Sequence, residues 1–87
     1  MAMFGRGNDQ IAHGNIAAAR LYYQRAADAG VAQAALALAS TYDPDELDRL
    51  RVVGIKPDQD LARRWYERAR ELGAPEAERR LKRLGAK

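Results

Sequence analysis

The chain has 87 residues, 47% of them hydrophobic and 31% charged, with a net charge of +3 and no cysteine. That length holds one small domain, and the lack of cysteine excludes a disulfide framework and any thiolate-based zinc site. No apolar run approaches the ~18 residues a membrane span needs, and no signal-peptide core is present.

Much of the apolar content is alanine, which lets helices approach closely but contributes little buried area per residue. With leucine, arginine and glutamate it favours an all-α protein. Residues 1–43 hold three basic and three acidic groups, residues 44–87 twelve and nine. The default expectation for the compartment is the cytoplasm, provided that no upstream segment is missing. No cofactor is expected.

Residues 1–14 read as an N-terminal segment. Gly5 and Gly7 argue against a firm helix before Asn8, which can cap a short one over 8–13 that Gly14 ends. Met3, Phe4 and Ile11 are its apolar content. Gly5-Arg6-Gly7 lacks the preceding strand and the Lys-Ser/Thr ending of a phosphate loop. His13 is the only histidine, and Asp9 is its one local carboxylate. With no nucleophile to activate, His13 reads as a capping or surface residue.

Asn15 caps a stronger helix over 16–29, with Ala18, Tyr22, Ala26 and Ala29 as its buried stripe and Leu21 beside it. Residues 31–42 are apolar nearly all round, with Val31, Ala35, Leu38 and Tyr42 on one stripe, as the inner helix of a stack would be. Asp43-Pro44-Asp45-Glu46 is a start signal: Asp43 as N-cap, Pro44 in the first turn, Glu46 closing a capping box. A short helix near 44–51 follows, then extended chain to Pro57. Asp43, Asp45 and Asp48 begin like a calcium loop, but Asp48 and Gly54 stand where that loop needs Gly and Glu. They read as capping and solvated charge.

Asp58 caps a helix over 58–72, with Leu61, Trp65, Ala69 and Leu72 on its stripe and Ala62 and Tyr66 widening it. A last helix spans 75–84, with Ala77, Leu81 and Leu84 as its apolar edge and Gly85 ending it. Asp60 with Arg64, Glu76 with Arg80 and Glu78 with Lys82 are acid-before-base i,i+4 pairs. Residues 85–87 form a tail.

The helix ending at Gly30 and the helix ending at Gly73 are the same text at a shift of 43 positions. Ala19 falls on Ala62, Tyr23 on Tyr66, Ala26 on Ala69 and Gly30 on Gly73, with Tyr22 opposite Trp65. These ten residues are expected to pack the repeats together. Tyr22 and Trp65 are placed mid-stripe in the core, and Tyr23 and Tyr66 one position round, between repeats or with wet hydroxyls.

Leu38-Ala39-Ser40-Thr41-Tyr42, Val53-Gly54-Ile55-Lys56-Pro57-Asp58 and Ala62-Arg63-Arg64-Trp65-Tyr66-Glu67-Arg68-Ala69 with Gly73 resemble the Sel-1-like repeat, a relative of the tetratricopeptide repeat. The resemblance covers residues 15–84, is strongest over 53–73, and takes in 1–14 only loosely, as the first helix of an incomplete repeat. Ala39 stands where that family usually has Gly, and residues 43–57 form an insertion. The resemblance implies a solenoid of about two αα-hairpins with a C-terminal capping helix, used as a protein-binding scaffold and carrying no catalytic residues.

Two functions from different classes follow. The first is a non-enzymatic adaptor that binds a partner helix or peptide on helices 8–13 and 31–42 and on the 43–57 loop, through Ile11, Leu36, Tyr42, Leu47, Leu50 and Val53. The second is binding of nucleic acid or an anionic surface through Arg79, Arg80, Lys82 and Arg83. No aromatic residue interleaves that basic run, so a solvated cap is the better reading and nucleic acid is disfavoured. An enzyme is not expected, because no nucleophile, base and orienting group can be assembled. Two repeats bury little, so pairing as a homodimer or docking onto a longer chain is also expected.

Overall fold

Three of the helices begin on the side chains that the sequence marks for them. In the computed structural model, which describes residues 2–52 and 54–85, Asn15 Oδ1 accepts from the Ala18 amide at 3.2 Å. Asp43 Oδ1 accepts from the Asp45 amide at 3.0 Å and Asp58 Oδ1 from the Leu61 amide at 3.1 Å. Each bond satisfies an amide that the first helical turn leaves without a partner. Six helices result among the described residues, and no strand: α1 (Ala2–Ala12), α2 (Ile16–Asp28), α3 (Ala32–Ser40), α4 (Pro44–Arg49), α5 (Gln59–Glu71) and α6 (Glu76–Gly85).

The two matching helices end on the same device. Gly30 and Gly73 take left-handed φ values of 91° and 101°. The residue after each glycine reaches back five positions, Val31 to the Ala26 carbonyl at 3.1 Å and Ala74 to the Ala69 carbonyl at 2.9 Å. This double turn-back reverses the chain, so each following helix runs against the last.

Helix α1 packs on α2, α2 on α3, α3 on α5 and α5 on α6. The molecule measures 32 × 29 × 16 Å, and its thin dimension is that of two helices packed ~10 Å apart. Ala34, Ala35, Leu36, Leu38 and Ala39 are all buried, so α3 is covered on most of its circumference and open along Gln33, Ala37 and Ser40. Helix α4 stands outside this series, in an insertion that closes on itself: the Asp58 amide donates to the Tyr42 carbonyl at 2.9 Å. The chain thus leaves α3 and re-enters α5 at nearly the same point.

Several expectations need correction. Helix α1 runs over 2–12 rather than 8–13, and Gly5 and Gly7 lie inside it. The reason is tertiary: a Cβ on Gly7 would come within 2.5 Å of Tyr23 Cδ1, so the missing side chain is what lets α1 meet α2.

The buried stripes are turned by one residue from those expected. Tyr23 and Tyr66 are the deep aromatics, at 3% and 0% exposure, while Tyr22 and Trp65 are half-buried and Leu21 and Ala29 exposed. Each deep tyrosine has an acceptor for its hydroxyl, Asn8 Oδ1 at 2.6 Å for Tyr23 and Asp43 Oδ2 at 2.7 Å for Tyr66. Burial of a phenol is tolerated only with such a partner.

The capping box at Asp43 is open, because the Asp43 amide already donates to the Ala39 carbonyl at 3.1 Å. The expected i,i+4 pair of Glu76 with Arg80 forms at 3.3 Å. Asp60 instead meets Arg63 at 3.3 Å, and Glu78 meets Arg70 at 3.5 Å.

The two α1 glycines should respond in opposite directions to alanine. Gly5 has open space around it, so Gly5→Ala should stabilise the fold by about 0.5–1 kcal/mol. Gly7→Ala drives a methyl into the Tyr23 ring and should destabilise it by about 1–3 kcal/mol. Urea melts of the two variants check the opposed signs.

Candidate functional site

Three carboxylates at the start of the insertion meet two guanidiniums of α6. Asp43 has no exposed surface. Its Oδ2 accepts from the Tyr66 hydroxyl and, in a short contact, from Arg83 Nη2. Arg83 Nε stands 3.2 Å from Asp45 Oδ2, an ion pair without hydrogen-bond alignment. Glu46 is buried as well, with Arg49 Nε at 2.6 Å on one oxygen and Arg80 Nη2 at 3.3 Å on the other. Arg80 also donates to Ser40 Oγ at 2.6 Å.

Desolvation and charge act on this cluster in opposite senses. Burial is the largest single effect on the Arg83 guanidinium and works against it, but Asp43, Tyr66 and Asp45 together outweigh it and raise the pKa. The Tyr66 hydroxyl is pushed up to about 12, first by burial and then by its bond to Asp43. Burial likewise raises Tyr23.

Beside this cluster lies a groove of about 320 Å³. Phe4 and Ile11 come from α1, Ile16 and Tyr23 from α2, Leu36 and Ala37 from α3, and Leu47 and Leu50 from α4 and its end. Gln33, Ser40, Thr41, Glu76 and Arg80 supply its polar edge. The inner helices α1, α3 and α6 therefore all face it, with α4 as a side wall.

Of the six residues expected to meet a partner, the groove gathers Ile11, Leu36, Leu47 and Leu50. Leu36 and Leu47 are buried in its floor, Ile11 is half-buried, and Leu50 is 43% exposed at the rim. Tyr42 lies elsewhere, with the Arg20 guanidinium 3.9 Å from its ring centroid, and Val53 lies outside the described residues. Phe4, Ile16 and Ala37 were not foreseen. Their only signal in the sequence is an apolar character that any core residue shares.

The expected repeat-packing residues are divided by depth. Ala19, Tyr23, Ala26, Ala62, Tyr66 and Ala69 are buried, Tyr22 and Trp65 are half-buried, and Gly30 and Gly73 are exposed at the turns. Trp65 lines a second cleft of about 260 Å³ with Asp28, Arg64, Arg68 and Glu71. The basic run is divided too: Arg80 and Arg83 turn inward to carboxylates, while Arg79 and Lys82 are exposed.

His13 Nδ1 donates to the Asp9 carbonyl at 2.7 Å, a cap at the end of α1. No group of three or more His, Cys, Asp or Glu among the described residues could hold a metal ion. Nor is any helix among them long and apolar enough to cross a membrane.

Neutral Tyr66 is favoured in the fold, whereas an unfolded tyrosine ionises near pH ~10. The stabilisation is therefore whole below about pH 10 and is lost as pH rises towards about 12. Urea midpoints between those values should fall less steeply for Tyr66→Phe than for the parent chain. At neutral pH, Asp43→Ala leaves the buried Tyr66 hydroxyl without its acceptor and removes a helix cap, while Arg83 keeps Asp45. It should lower stability by about 2–4 kcal/mol in thermal or urea melts.

Neither the curated proteins nor the solved structures gave a match. The Sel1 repeat model matches twice, over residues 2–31 and 32–73. The first match takes in all of α1 and α2. The second spans α3, the insertion with α4, and α5. Sel1 repeats generally mediate protein–protein interaction and are typically non-enzymatic scaffolds. The chain belongs to the Sel1 repeat family.

Proposed function

We propose that the chain is a non-enzymatic adaptor that binds a helix or extended peptide of a protein partner in the groove between α1, α3 and α4. The observation that carries this reading is the convergence of Ile11, Leu36, Leu47 and Leu50 on one concave surface of about 320 Å³. They come from α1 and from the α3–α4 stretch, with all of α2 between them in the chain. Concave, mostly apolar surfaces with a few polar groups at the edge are where proteins take ligands, and a groove of this kind suits a few apolar anchors of a docked segment. The stack presents that face because its inner helices are held side by side.

Binding of nucleic acid or an anionic surface through the C-terminal helix finds less support. Arg80 is 15% exposed and paired with Glu46 and Glu76, and Arg83 is paired with Asp43 and Asp45. The remaining field is that of Arg79 and Lys82, and Arg79 has Glu76 at 3.8 Å.

Affinity capture from the native cells, with the purified chain as bait, tests the groove. Leu50→Glu places a charge on the rim without disturbing the core and should weaken capture of the specific partner about tenfold or more. Arg64→Glu in the second cleft should leave capture intact, and moderate salt should not abolish it. Equal capture by the parent chain and Leu50→Glu would overturn the proposal.

A further inference from the structure

We infer that Arg80 and Arg83 are the positioning residues of the groove: they latch the α4 wall to α6, and their release opens the wall while the repeats stay folded. The inference rests on the groove being the docking face, and it specifies what holds that face in shape.

Helix α4 has six residues, far fewer than a helix needs to persist alone in water. It makes no extended backbone contact with another helix. Two residues past its end stands Arg51, the one non-glycine residue with a left-handed φ among those described, at 56°. That conformation disfavours a side chain. Leu47 is its buried apolar tether.

Beyond Leu47 and the Tyr66 hydroxyl on Asp43, its attachment is ionic and comes from α6. Arg83 meets Asp43 and Asp45, and Arg80 meets Glu46. Arg80 also lines the groove and bonds Ser40 on the opposite wall. It therefore ties α3, α4 and α6 together at the polar edge of the site.

Sign matters as much as distance here. Asp43, Asp45 and Glu46 stand within four residues of one another. Arg80 and Arg83, with Arg49 of α4 itself on Glu46, match the three charges. Without the α6 pair, Asp43 and Asp45 repel at close range with no cation between them, so α4 is driven from its seat rather than merely loosened. The other cations of the same run, Arg79 and Lys82, point to solvent and provide an internal control.

The chain has no cysteine, so a single introduced thiol reports one position. Leu47→Cys sits under α4, and Leu38→Cys sits in the α3 core at 1% exposure. In the full chain, Arg80→Gln with Arg83→Gln should speed thiol labelling of Leu47→Cys about tenfold or more. The same pair should leave labelling of Leu38→Cys unchanged, and Arg79→Gln with Lys82→Gln should change neither.

Equal acceleration at both cysteines would mean that the arginines only support global stability, and would overturn the inference. So would no acceleration at either. The readout uses no partner, so it holds even if Leu50→Glu shows that the groove binds nothing. A partner that still depends on Leu50 alongside unchanged labelling would remove only the latch.

Discussion

A carboxylate without exposed surface sits where the second repeat, its insertion and the C-terminal helix meet. A buried charge is strongly unfavourable unless it is paired and hydrogen-bonded. Asp43 meets that demand with the Tyr66 hydroxyl, the Arg83 guanidinium and the Asp45 amide. Each donor belongs to a different helix: α5, α6 and α4. The first repeat solves the matching problem without charge, since Tyr23 donates to the neutral amide oxygen of Asn8. Replacing that acceptor by a carboxylate is what draws a guanidinium, and with it α6, onto the second hairpin.

The insertion is compatible with this plan because its ends are joined. The hydrogen bond from Asp58 to Tyr42 closes the loop at its neck, so α3 and α5 pack as they would without it. What the loop adds is a wall. Leu47 and Leu50 extend the apolar surface of α1 and α3 sideways, and Arg80 closes the polar edge. The residues that make this chain differ from a plain pair of hairpins are therefore the ones that shape its concave face.

Much of the architecture was legible in the sequence. The glycines at 30 and 73 and the caps at Asn15, Asp43 and Asp58 are local devices, and local devices can be read residue by residue. The choice of which aromatic goes inside could not be read that way. In an alanine-rich helix, stripes one residue apart have nearly the same apolar content. The decision between Tyr22 and Tyr23, or Trp65 and Tyr66, falls to the ring whose polar group finds a partner outside its own helix, here the Tyr23 and Tyr66 hydroxyls. The same holds for Gly7, which local propensity counts against a helix and whose contact with Tyr23 lies sixteen residues along the chain. Arg80 and Arg83 looked like solvated charge, because the carboxylates of the insertion that they meet lie roughly 34 to 40 residues away. Long-range pairing leaves no mark at the spacing that a helix surface is read by.

The claim beneath all of this is that one buried anion couples α5 to α6. A double-mutant cycle on unfolding free energy with Tyr66→Phe and Arg83→Met measures that coupling without touching Asp43. Each single change removes one donor from the same oxygen, so the two effects should depart from additivity by more than about 0.5 kcal/mol. Effects that sum within about 0.3 kcal/mol would show two independent contacts, and the account built on a shared carboxylate would be contradicted.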